Sequence, residues 1–177
     1  SYCQNGSDPS PVFAAGASAG VFSALPATLV FISTSTGQID LSLSPAGTYT
    51  VTNFIAAAGG CAAATATTTV TIDSTTILTD PTDQVGCNNA QTAAVNFTTT
   101  VPQTTIAWTH NATAAIGIAT SGSGNIPSFV PINTGSTPIV VTFTATPAGP
   151  APNFCTGLPQ QFTFIINPDA KLTLTSV

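Results

Sequence analysis

Thr69-Val70-Thr71-Ile72-Asp73-Ser74-Thr75-Thr76-Ile77-Leu78-Thr79 is an alternating strand that runs into a short connector. A similar phrase, Phe164-Ile165-Ile166-Asn167-Pro168-Asp169-Ala170-Lys171-Leu172-Thr173, comes near the end of the chain. Each follows a segment bracketed by two cysteines, Cys3 and Cys61 in the first half, Cys87 and Cys155 in the second. A plan stated twice at this period reads as two structural repeats. The boundaries that follow are residues 1–75 and 76–168. Residues 169–177 then form a linker or, through Leu172-Thr173-Leu174-Thr175-Ser176-Val177, the first strand of a further repeat. On this reading the chain is a piece of a longer array.

Outward from these phrases, alternation with period two continues. In Gly47-Thr48-Tyr49-Thr50-Val51-Thr52-Asn53-Phe54, Tyr49, Val51 and Asn53 share one face and threonines hold the other. Ile139, Val141, Phe143 and Ala145 alternate with Val140, Thr142, Thr144 and Thr146, and Gln161, Thr163 and Ile165 with Phe162, Phe164 and Ile166. Turn signals stand at Ser35-Thr36-Gly37, Pro45-Ala46-Gly47, Gly59-Gly60, Gly122-Ser123-Gly124 and Pro147-Ala148-Gly149-Pro150. The helix formers Glu, Lys, Arg and Met are nearly absent, and alanine follows no helical period. The pattern predicts an all-β chain of two antiparallel sandwiches. The connector from Asp73 to Asp83 holds Ile77 and Leu78 and no glycine, so it is expected to pair as the opening strand of the second unit.

Composition narrows the function. All six acidic residues are aspartate, and Lys171 is the only lysine or arginine, in a chain that carries 33 threonines. A surface so poor in cations cannot neutralise phosphates, which excludes nucleic acid and anionic membrane as partners bound by charge. The most apolar stretch, Phe13 to Ile32, is interrupted by Gly16, Gly20 and Pro26 and cannot form a continuous spanning helix.

Domains this small bury only about 60–65 % of their unfolded surface and need additional support. One cysteine pair per repeat predicts the bonds Cys3–Cys61 and Cys87–Cys155, each contributing about 4 kcal/mol by loop entropy; buried free thiols are the alternative. Disulfides imply an oxidising, extracytoplasmic compartment.

Particular phrases then resemble a family. Gly20-Val21-Phe22-Ser23-Ala24, Ser33-Thr34-Ser35-Thr36-Gly37-Gln38-Ile39-Asp40-Leu41 and Pro45-Ala46-Gly47-Thr48-Tyr49-Thr50-Val51-Thr52 resemble bacterial Ig-like repeats. Val95-Asn96-Phe97-Thr98, Thr104-Thr105-Ile106-Ala107-Trp108-Thr109, Ile116-Gly117-Ile118-Ala119, Gly122-Ser123-Gly124-Asn125-Ile126-Pro127-Ser128-Phe129 and Phe162-Thr163-Phe164-Ile165-Ile166-Asn167-Pro168 are similar to the PKD-like repeats that accompany them. Such repeats build long surface proteins of Bacteroidota, among them the SprB-like gliding adhesins exported by the type IX system. The resemblance implies tandem Ig-like sandwiches, a cell-surface location, and a role in adhesion, filament formation or gliding. It implies no catalytic residue. One departure from true immunoglobulin domains is plain: Trp108 lies too far beyond Cys87 to be their core tryptophan, and the first unit has none. The disulfides are therefore expected to tie sandwich ends.

Candidates for chemistry are few. His110, the only histidine, follows Trp108 at strand spacing, with no nucleophile-elbow phrase to complete a triad. Asp73, Asp80 and Asp83 cluster in sequence at the junction and are the calcium candidates, although Asp80-Pro81-Thr82-Asp83 is equally an ordinary turn. Lys171 in the terminal linker offers no intra-domain isopeptide bond. Asn5, Asn96 and Asn111 head glycosylation sequons expected from chance among so many threonines. Phe13, Phe22, Tyr49, Phe54, Phe129 and Phe154 are expected mainly in the core. The function expected is a non-catalytic structural and adhesive module whose partners are neighbouring repeats and surface polysaccharide. A carbohydrate-binding module and a fibre subunit joined through its terminal strand are the alternatives.

Overall fold

A computed structural model of the chain describes residues 1–170. The expected strand at Leu172–Val177 and the sole lysine lie outside the described residues. Every regular element described is a β-strand. The chain divides into two compact units: Ser1–Thr75 together with Ala151–Cys155, and Thr76–Pro150 together with the segment from Thr156 onward.

The first unit contains β1 (Tyr2–Cys3), β2 (Val21–Leu25), β3 (Phe31–Ser33), β4 (Gln38–Ile39), β5 (Gly47–Ile55) and β6 (Ala64–Asp73). Its main sheet has the order β1-β6-β5-β2, and β3 and β4 form a separate ribbon. β5 and β6 pair without a register break from Gly47↔Ile72 to Ile55↔Ala64. The Tyr49–Val51 face packs with Phe22, Leu29, Ile39, Leu41 and Ile72. The Tyr49 hydroxyl donates to the Pro45 carbonyl at 2.7 Å, satisfying the polar tip of a buried ring.

In the second unit, β7 (Gln84–Cys87), β8 (Thr105–His110), β9 (Ser121–Ser123), β10 (Ile139–Ala148) and β11 (Gln160–Asn167) form one sheet in the order β7-β11-β10-β8-β9. The alternation expected from sequence is realised: Val141, Phe143, Ala145, Phe162, Phe164 and Ile166 are buried, while Val140 is exposed. Their rings form a continuous set, with Phe143 touching Trp108, Phe162 and Phe164. The opposing layer is irregular, held by bridges such as Val95↔Ile126 and Leu78↔Thr99. The connector residue Leu78 is buried there and Ile77 is exposed, so the expected opening strand is reduced to a single bridge. Trp108 lies opposite Gly122, where a Cβ would stand 2.2 Å from the indole; only glycine leaves room for the ring.

Both units repeat one device. Their first strand pairs parallel with their last, Cys3 opposite Asp73 and Cys87 opposite Asn167. The next residue then donates to the same partner, Gln4 N–H to the Asp73 carbonyl and Asn88 N–H to the Asn167 carbonyl. Tight turns follow, closed by Gly6 N–H to the Cys3 carbonyl and by Ala90 N–H to the Cys87 carbonyl.

This device overturns the expected disulfides. Cys3 is bonded to Cys155, and Cys61 and Cys87 are free, exposed thiols. The cause is parallel pairing. Cys3 sits at the Asp73 end of β6, whereas Cys61 precedes its start, roughly 30 Å away at ~3.3 Å per residue. Cys87 lies at the Asn167 end of β11, and Cys155 precedes its other end. A disulfide needs Cα atoms within about 7 Å, so neither expected pair can form.

Candidate functional site

The Cys3–Cys155 locus gathers the most chemistry in one place. β1 brings Cys3 beside Asp73, and the segment Ala151–Cys155 supplies Cys155, which is 4 % exposed. The Asn153 amide donates to the Asp73 carboxylate and to the Ser1 hydroxyl. Phe154, between Asn153 and Cys155, has the left-handed φ of 48°. Sequence reading missed Asn153, because nothing local distinguishes it from any other loop asparagine.

The three calcium candidates divide between the units, Asp73 in the first and Asp80 and Asp83 in the second. Asp73 accepts from Asn153 in the first unit. In the second, Asp83 accepts from the Thr163 backbone N–H at 2.6 Å, which caps the sheet beside β11. Asp80 lines a groove of about 230 Å³ with Thr79, Thr82, Gln84, Asn96 and Thr98. Among the described residues, no group of three or more His, Cys, Asp or Glu side chains is placed to hold a metal ion.

His110 ends β8 with its ring on Phe143, 5.1 Å between centroids. Its Nδ1 accepts from the Ala112 N–H at 3.2 Å, so the proton of the neutral ring lies on Nε2. Among the described residues its Nε2 has no hydrogen-bond partner. Asn111 and Asn96, two of the sequon residues, serve the fold: Asn111 Oδ1 accepts from Thr142 N–H and Asn96 Oδ1 from the Asn125 amide. Asn133 is another polar residue the sequence did not announce. Buried at 2 % exposure, its amide donates to the Thr137 and Ile166 carbonyls.

Of the aromatic residues expected inside, Phe22, Tyr49 and Phe129 are buried, whereas Phe13, Phe54 and Phe154 are substantially exposed. The first unit carries a groove of about 440 Å³ whose lining includes Tyr2, Pro9, Val12, Phe22, Ile39 and Val70. The second has an open groove of about 600 Å³ along β7, with the exposed Cys87 on its wall. The Asp40 carboxyl is held below its ordinary value, first by the Ser42 hydroxyl at 2.7 Å and then by the Leu43 N–H at 3.0 Å. It closes the turn that leads from Leu41, fully buried, to Ser44.

No protein-family description matches the chain, and no curated protein does. Among solved structures it is similar to mouse cadherin-23 repeats 22 to 24, at 13 % identity and a TM-score of 0.37, covering 84 % of this chain and 53 % of that one. It is also similar to a three-domain immunoglobulin segment of titin, at 12 % identity and a TM-score of 0.37, covering 80 % and 48 %. Sidekick-1 immunoglobulin domains 1 to 5 match at 15 % identity and a TM-score of 0.34, covering 80 % and 30 %. The chain thus spans about half or less of the length of these structures.

Proposed function

We propose that this chain is a non-catalytic structural and adhesive module, two Ig-like units of a long protein at a bacterial cell surface. The repeated device carries the reading: each unit opens with a strand paired parallel to its last strand, at the same relative position. Such units serve reach and attachment. The Cys3–Cys155 bond suits an oxidising, extracellular setting. Threonine-rich outer faces with almost no cations favour an inert spacer, and the gliding-adhesin resemblance supplies the finer expectation. Its partners on this reading are neighbouring repeats and surface polysaccharide. Immunogold labelling of cells that produce the parent protein tests it. Label along extracellular filaments is expected, and label confined to the cell interior would overturn it.

The groove beside Tyr2 favours a second reading, a carbohydrate-binding module. A glycan array probed with the full chain distinguishes the two. Binding that is lost in Tyr2→Ala would give the chain a ligand of its own, whereas an array without signal leaves the spacer role.

A further inference from the structure

β6 is stitched to β1 at one end and open along the rest of that side. β1 reaches only Ile72 and Asp73, and no strand pairs with β6 upstream of them on the side away from β5. Alternation decides which backbone groups are left over. The Asp73 carbonyl accepts from Gln4 N–H, so it points outward. Successive residues of a strand direct their N–H and C=O groups to opposite sides, which turns Thr65, Thr67 and Thr69 outward as well.

Long edges are normally blunted by a proline, a charge or a bulge that stops another strand from adding. From Ala64 to Thr71 β6 has neither proline nor charge, and its ladder with β5 shows no register break. The other open edges of the two main sheets, β2, β7 and β9, are only five, four and three residues long. Beside β6 the groove of about 440 Å³ brings Tyr2, Val12 and Val70 to the same edge, and Val12 is 98 % exposed.

We propose that this edge pairs antiparallel with the same edge of a second copy, about a two-fold axis at Thr67. Charge selects that partner. Each copy carries a net charge of −5, so two copies approach most easily through a face without carboxylates, and no charged residue stands between Asp40 and Asp73. Length selects the register. β1 closes the edge at Ile72, and centring a copy on Thr67 matches the open run Ala64 to Val70 with itself, end to end. Thr67 then faces Thr67, and Thr65 faces Thr69. All of these point outward, so each exchanges both backbone bonds with its counterpart. Ala64 of the second copy falls opposite Val70, at the mouth of the groove. The same patch serves on both copies, so the contact closes on two. In the surface reading above, on which only this last step rests, the pairing joins neighbouring filaments side by side.

Sedimentation equilibrium of the Cys61→Ser/Cys87→Ser chain, which keeps Cys3–Cys155 and has no free thiol to couple copies, tests the pairing. A dimer that grows with concentration up to about 1 mM is expected. Hydrogen exchange at the Thr65, Thr67 and Thr69 amides should slow as it forms. Thr67→Lys and Thr67→Asp each place like charges at the axis and should remain mainly monomeric, with an unchanged tyrosine near-UV signal showing that the first unit is folded. Mixed, they should give at least about fivefold more dimer than either alone, because opposite charges now face one another. A chain that stays monomeric over the whole range, a dimer indifferent to both substitutions, or a mixture no richer in dimer than its parts overturns the pairing. The immunogold result is separate: extracellular label with a monomeric chain removes the pairing alone, and a dimer with intracellular label removes the surface reading alone.

Discussion

β6 and β10 are both ten residues long and both alternate threonine with smaller or apolar residues, yet they live in different surroundings. β10 is paired on both sides, with β8 and β11, and every second residue from Val141 to Pro147 is buried. β6 is paired along its length only with β5, because β1 reaches just Ile72 and Asp73. Its first six residues, Ala64 to Thr69, are exposed on both faces. The core face of β10 carries Phe143, whereas the matching face of β6 carries Ala64, Ala66 and Thr68, too small to bury much area. One unit is held by packing; the other compensates with stitches at the far end of its long strand, where β1, the disulfide and Asn153 meet Asp73.

The largest break in that contrast comes from Phe143→Ala. Phe143 is fully buried and touches Trp108, His110, Phe162 and Phe164, so its loss should destabilise the second unit by about 3–5 kcal/mol. The sole tryptophan reports that unit and both tyrosines the first, so urea unfolding can be followed separately by Trp108 emission and by tyrosine near-UV signal. The tryptophan midpoint should fall sharply. A fall of equal size in the tyrosine transition would mean that the units do not differ as described.

Next in size is removal of the bond in Cys3→Ser/Cys155→Ser. A bond closing so long a stretch of chain contributes about 2–5 kcal/mol by restricting the unfolded state. The tyrosine transition should shift more than the tryptophan transition. The reverse order would show that the stitching serves the well-packed unit instead.

What could be read in advance follows the same division. The β10 and β11 faces were legible because burial alternates with period two from Val141 to Pro147 and from Phe162 to Ile166, and Gly59-Gly60 announced the β5–β6 hairpin. The disulfide was not legible, because it depends on Tyr2–Cys3 lying parallel to residues some seventy positions away. Parallel pairing leaves no local mark. Pro147-Ala148-Gly149-Pro150 read as a turn, yet β10 continues to Ala148. Pro147 stands beyond the last β11 pair, Ala145↔Gln160, and its carbonyl still accepts from the Gly157 N–H, so the strand continues past the proline. The calcium candidates are a different case. Asp73, Asp80 and Asp83 are close in sequence, but two of the three carboxylates are engaged with Asn153 and Thr163.

A smaller effect sharpens the packing side. Gly122→Ala places a methyl against the Trp108 indole, where the nearest ring atom is 2.2 Å from the ideal Cβ. Overpacking of this kind costs about 1–3 kcal/mol. The tryptophan midpoint should drop, with a change in emission as the indole is displaced. An unchanged midpoint would show that β9 swings away freely and contributes little to the core.

The smallest effect is expected from the turn that anchors Leu41. The Ser42 hydroxyl and the Leu43 N–H both stabilise the ionised form of Asp40, lowering its carboxyl below the ordinary 3.8. A group whose folded value is depressed contributes stability that is present above the unfolded value and lost as pH falls through the folded one. The tyrosine midpoint should therefore decline below pH about 4 more in the native chain than in Asp40→Asn, whose turn no longer titrates. Asp40 is partly open to solvent, whose screening keeps the difference small. Parallel acid profiles in the two chains would show that the turn holds Leu41 through its backbone alone, by the Ser44 N–H to the Asp40 carbonyl and the Ser44 hydroxyl to the same oxygen. The first unit would then owe its order to β1 and the disulfide, with no contribution from this carboxylate.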